Sequence, residues 1–132
     1  MGGMTDLTRM LSSLNPVLLD GEFVFVSVDA DEARLLEGLA TITEPEGTTV
    51  VLRKQQADDA SLAYEFTARW ITLTMHSSLE AIGLTAAFAS ALTNEGISCN
   101  VLAGFHHDHI LVPAAQADEA MNTLRRLAAD HH

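Results

Sequence analysis

Between Ala68 and Ala129 the apolar residues change their period repeatedly, and each change fixes an element. "ARWITLTM", Ala68–Met75, alternates, so Ile71, Leu73 and Met75 share one face of a strand and Trp70, Thr72 and Thr74 the other. From Leu84 the spacing turns helical, with Leu84, Ala87, Phe88, Ala91 and Leu92 on one stripe. Gly96 stands where a helix C-terminus favours glycine. Ser98–Phe105 and His109–Val112 return to apolar, β-branched-rich strands, and Ala114–Ala129 reads as a last helix. That helix buries Ala117, Ala120, Met121, Leu124 and Ala128, with Asp118 and Glu119 near its start and Arg125 and Arg126 near its end, as its dipole favours. A β-α-β-β-α order of this kind leaves few folds open.

The first half reads α-β-β-α-β. Leu7, Met10, Leu11 and Leu14 are helically spaced, with Thr5 as N-cap and Pro16 as the stop. Val17–Leu19 and Glu22–Val28 are expected as strands around the turn pair Asp20-Gly21. Asp29 and Glu32 open a helix carrying Ala33, Leu36 and Leu39. Ala40–Thr43 and Thr48–Arg53 are strand-like, and the polar stretch Lys54–Glu65 reads as a connector. Two matches in the same order suggest a duplication: "LTRMLSSL" with "LTAAFASAL", and "EFVFVSVDADEA" with "DHILVPAAQADEA". The expected architecture is α+β, two pseudo-repeated halves, residues 5–60 and 61–132, of the βαββαβ ferredoxin-like type. Antiparallel sheets carry helices on one face. Each half lacks one terminal strand, which Ala40–Thr43 and Thr48–Arg53 are expected to supply.

Composition narrows the partners. At 132 residues the chain has one domain's length or two small halves, and 48% hydrophobic with 19% charged residues is globular. Eighteen acidic residues against 7 basic ones give a formal charge of −11, which disfavours nucleic acid and anionic membranes. No apolar run approaches the about 20 residues that span a bilayer, and no secretory pattern opens the sequence. The single cysteine, Cys99, fits a reducing cytoplasm and reads as a small buried hydrophobe.

Chemistry concentrates in "GFHHDHILVP", Gly104–Pro113. Its position between two strands makes it a polar hairpin turn. Alternation puts His107 and His109 on one face and His106 and Asp108 on the other, if the strand extends so far. A zinc site recruits three or four ligands, and a third would have to come from His76 or a second subunit. Metal binding at His106–His109 is therefore a lesser alternative to a turn. No nucleophile is visible either: Ser77 and Ser78 lack a Gly-x-Ser-x-Gly elbow, and Cys99 lacks an activating base.

The second unusual stretch, "HSSLEAIGLTAA", joins a strand end to a helix start. Ser77 and Glu80 have capping-box spacing, and Gly83 permits close backbone approach ahead of amides suited to a carboxylate. Together with "SCNV" and the upstream "EGTTVVL", this stretch resembles small bacterial ACT-domain proteins, over most of Leu14 to Leu127. The resemblance implies the βαββαβ unit, dimers or tandem pairs, and binding of small ligands, often amino acids, in the regulation of metabolic enzymes. It implies a site between the strand–helix loop, Ser77, Ser78, Glu80, Gly83 and Leu84, and a partner's second strand at Asn100 and Val101. Amides near Gly83–Leu84 would take the carboxylate, and Asn100 with nearby carbonyls the amine. The expectation is a cytoplasmic, non-catalytic amino-acid sensor without cofactor or resident metal. It would act as a homo-oligomer, with a partner enzyme as its possible output. The alternative is a structural oligomerisation protein with a silent pocket.

Overall fold

The computed structural model describes residues 3–75 and 82–131, with side chains from Leu7 onward. In chain order the first elements are α1 (Gly3–Ser12), β1 (Asn15–Leu18), β2 (Phe23–Val28), α2 (Ala30–Leu35), β3 (Ala40–Glu44), β4 (Gly47–Arg53) and α3 (Lys54–Asp59). Then come β5 (Thr67–Thr74), α4 (Leu84–Asn94), β6 (Asn100–Ala103), β7 (Asp108–Pro113), a short 3-10 turn and α5 (Ala117–Ala129). They form two compact units. One is Asp20–Arg69, and the other joins residues 3–19 to residues 70–131.

The Asp20–Arg69 unit is written in order. Its strands are neighbours as β3-β4-β2-β5, and β2 pairs antiparallel with β4 and with Thr67–Ala68 at the start of β5. That is a complete βαββαβ topology, all antiparallel. Asp29 caps α2, its Oδ1 accepting from the Glu32 amide at 2.8 Å. α2 buries no residue, and the core on the helix side is small: Val24, Val26, Val28, Val50, Leu52 and Ala57.

The other unit has neighbour order β1-β5-β7-β6. β5, α4, β6, β7 and α5 supply βαββα, and the fourth strand is β1, pairing antiparallel from Asn15↔Thr74 to Leu18↔Ile71. Its core lies on one sheet face, under α1, α4 and α5. Ile71 and Leu73 of β5 and Ile110 and Val112 of β7 meet Leu11, Phe88, Leu92, Met121 and Leu124 there. The five expected apolar residues of α5 are all buried. Gly96 takes a left-handed φ of 74° just past α4, and the Ile97 amide reaches back to Leu92 O.

Several sequence expectations are corrected. β3 and β4 complete no sheet but their own; the missing strand of the second half is Asn15–Leu18. β1 and β2 form no hairpin around Asp20-Gly21, because β1 pairs with β5 and β2 with β4 and β5. Pro16 does not stop a helix but sits in β1, four residues past the end of α1. α2 ends at Leu35, so Leu36 and Leu39 lie beyond it. The connector contains a helix, α3, hidden because only Ala57 of it is buried.

The repeat register also shifts. By topology β2-α2 corresponds to β5-α4, and β4-α3 to β7-α5. The counterpart of the histidine turn is therefore the β3–β4 turn. "LTRMLSSL" and "LTAAFASAL" match only because both face one core, as α1 and α4.

Candidate functional site

β5 ends at Thr74, and the chain re-enters the described residues at Ile82, one residue before α4 is capped. Ser77, Ser78, Glu80 and His76 lie outside the described residues. Gly83 is the N-cap, at φ 86°, and among the described residues no side chain caps the helix. The Ala87 amide bonds Gly83 O at 3.0 Å, which leaves the amides of Leu84, Thr85 and Ala86 without intrahelical acceptors. Only glycine holds this conformation without strain, and a Cβ here would lie 3.3 Å from Leu7 Cδ2. The Leu84 side chain is buried in the core, so only its backbone is available to a ligand.

Asn100 and Val101 open β6, the strand at the edge of its unit's order. Asn100 is exposed, while Val101 packs partly on the core. Gly83 begins α4 and Asn100 follows its other end. The helix has 11 residues, about 16 Å of axis. One chain therefore holds these two candidate sides apart.

The histidines occupy the β6–β7 turn, Gly104–His107, closed by the Gly104 amide on His107 O at 2.9 Å. A Cβ on Gly104 would stand 2.8 Å from that oxygen, so the turn needs glycine. His109 lies on β7 opposite Leu102 and turns to β5. Trp70 Nε1–H donates to Thr72 Oγ1 at 3.1 Å, and the Thr72 hydroxyl shares a 3.0 Å hydrogen bond with His109 Nδ1. The Trp70 and His109 rings lie 5.2 Å apart. Burial holds the His109 pKa below the ordinary 6.5, helped by His107 and opposed by Asp108.

His107 faces elsewhere. It lines an open cleft of about 300 Å³ with Ser13, Thr74 and Met75, among the described residues. Its Nδ1 is buried and has no hydrogen-bond partner among the described residues. The two histidines thus serve different surroundings rather than one centre. Among the described residues no three His, Cys, Asp or Glu groups come together as a metal site. Cys99 is half-buried, and burial pushes its thiol up to about 11, so it carries little thiolate near neutral pH. Sequence reasoning named His107 but missed Ser13 and Thr74, because their cleft depends on β1 lying beside β5.

Two βαββαβ units, one in chain order and one completed by the N-terminal strand, define a tandem ferredoxin-like protein. Two family models, each described as an ACT domain, match residues 2–69 and 65–126. The chain belongs to the ACT-domain family, as a tandem pair. Among solved structures it is similar to a Vibrio cholerae protein of unknown function, described as a possible transport protein. That match is 43% identical, with TM-score 0.88 over 96% of this chain and 99% of the other. It is also similar in fold to the aspartate kinase regulatory subunit from Thermus thermophilus, ligand-free form, at 10% identity and TM-score 0.60, over 88% and 98% of the two chains. The corresponding subunit from Thermus flavus gives 11% and 0.60, over 87% and 96%. No curated protein matches the chain. Among the described residues no helix is long and apolar enough to cross a membrane.

Proposed function

We propose that the chain is a stand-alone regulatory module that binds a small metabolite, an amino acid, and has no catalytic activity of its own. The observation that carries this is the start of α4, where Gly83 is the N-cap and the first three amides have no acceptor within the helix. A carboxylate is the group such an end accepts. Ser77, Ser78 and Glu80 of the preceding loop complete this side of the site. The exposed Asn100 and the backbone at Val101 supply the amine side from a second copy, since one chain separates them from Gly83 by the length of α4.

The protein is accordingly a cytoplasmic homo-oligomer whose output passes to a partner enzyme. Membership of the ACT family and the fold shared with regulatory subunits support a regulatory role; the fold by itself names no ligand.

Thermal shift against the proteinogenic amino acids, in EDTA and then with zinc, tests the function. A ligand at about a hundred times its dissociation constant adds about 2.7 kcal/mol. One amino acid should raise the midpoint, and Gly83→Val should remove that shift. A shift by zinc alone, lost in His107→Ala, would replace this function with metal binding. Silence in both series would leave an oligomerisation module.

A further inference from the structure

β3 is the least covered of the described strands. Its residues 41–44 are all exposed, although the strand pairs with β4 from Ala40↔Val51 to Glu44↔Gly47. It stands at the end of the strand order, and no described strand pairs with its outer edge. Leu39, held to β4 by its amide on Val51 O at 2.8 Å, is 41% exposed, and Ile42 is 43% exposed. An open edge with apolar side chains invites pairing, and proteins blunt such edges with proline, with charge or by covering them. β1, an edge strand of the other unit, carries Pro16, which has no N–H to give an incoming strand. β3 has no proline, lysine or arginine, and its one charge, Glu44, stands at its end.

Charge decides what can add there. Residues 35–52 carry Glu37, Glu44 and Glu46 and no Lys or Arg. Arg34, the cation just before them, is paired with Asp31. Glu44 accepts from Thr49 Oγ1, which ties its carboxylate to the neighbouring strand. Antiparallel pairing of β3 with itself in a second copy would bring Glu44 and Glu46 of one copy towards Glu37 of the other, between chains of formal charge −11 each. A strand that carries cations meets the opposite condition. We propose that the outer edge of β3 docks an extended segment of another protein, one that alternates apolar residues with Lys or Arg. Main-chain hydrogen bonds to β3 hold it, its apolar side chains cover Leu39 and Ile42, and its cations meet Glu44 and Glu46. The inference does not rest on the amino-acid site at Gly83.

The test titrates the ¹⁵N-labelled full chain, at low ionic strength, with a short capped peptide of alternating lysine and valine. The amide resonances of Ala40–Glu44 should shift saturably, and their hydrogen exchange should slow. Neither should follow with a peptide of the same composition whose lysines and valines stand in separate blocks, nor with one alternating glutamate and valine. The alternating lysine peptide N-methylated at every amide keeps its charge but loses the donors of a strand, and should not bind. Glu44→Lys should weaken binding about tenfold and reduce its salt dependence. That variant lies outside the Gly83 site and should leave an amino-acid thermal shift intact, so the two readings fail separately. Unmoved β3 resonances overturn the inference, and they are read in the unaltered protein. Equal binding of the blocked or N-methylated peptide overturns it too, because charge alone then suffices. Shifts in β3 that grow with protein concentration and need no peptide give the edge to a second copy, and overturn it likewise.

Discussion

The two units share one topology and differ in how each begins its first helix. In Asp20–Arg69 the turn from β2 into α2 is closed by Asp29, whose carboxylate already holds the Glu32 amide. In the other unit α4 starts at a left-handed glycine, and among the described residues no side chain caps the helix. The cores differ in the same sense. α2 buries nothing and α3 only Ala57, whereas α4 buries Leu84, Phe88 and Leu92 and α5 buries residues along its whole length. Asp29 already takes one amide of the first turn of α2, and a helix without burial is a poor platform for a ligand. Equal topology thus comes with unequal helices: the unit with the long, anchored helices is the one whose first helix starts at a glycine.

The largest effect should come from separating that unit from its borrowed strand. Residues 61–132 expressed alone lack β1, which covers β5 from Ile71 to Thr74, and lack Leu11 and Leu14 from the core. They should not fold. The same segment, joined after α5 by a glycine-serine linker to residues 3–19, restores β1 and α1 and should give dispersed amide spectra. A folded 61–132 segment would show that the N-terminal strand is dispensable, and that the two units differ less than their pairing indicates.

The two helix starts can be set against each other more finely. Gly83→Val forces a β-branched residue to φ 86° and brings Cβ towards Leu7, a strain of about 1–3 kcal/mol. Asp29→Ala removes one cap, at about 1 kcal/mol. Denaturant titration should rank them in that order. Only the first should also abolish an amino-acid thermal shift. Equal loss of the shift in Asp29→Ala would mean that the capped start also matters to the ligand, and the contrast between the units would fall.

Much of this contrast was legible, and the illegible parts share a cause. β5 and α5 follow from periodicity because each buries a stripe on one face. Asp29 as a cap follows from local spacing alone. α3 escaped because a surface helix with one buried alanine has no stripe to read. The role of Asn15–Leu18 escaped because strand pairing is non-local: β1 meets residues more than fifty positions away, and nothing in "NPVL" names them. The repeat register failed for a related reason, since α1 and α4 resemble each other through a shared core rather than equivalent places in the fold. Gly83 was found by its place before the apolar stripe, whereas the His107 cleft needed tertiary structure to bring Ser13 beside it.

The smallest effect concerns the second face of the same unit, where His109 sits between Trp70 and Thr72. The Thr72 hydroxyl, already accepting from Trp70, has its own proton to give Nδ1, and this bond requires an unprotonated Nδ1. Burial and the neighbouring His107 lower the folded pKa below 6.5, with Asp108 acting in opposition. The unfolded chain therefore binds more protons than the folded one in this range, so stability rises with pH there. The contribution is complete above the ordinary histidine value and is lost as pH falls from it through the lowered folded value. His109→Asn keeps an acceptor for Thr72 but cannot titrate. Comparing denaturation midpoints from about pH 8 to pH 5, the wild type should lose stability more steeply than the variant on the acid side. Parallel curves would mean that His109 is exposed to solvent alike in both states, and that the Trp70–Thr72–His109 relay does not distinguish this face from an ordinary surface.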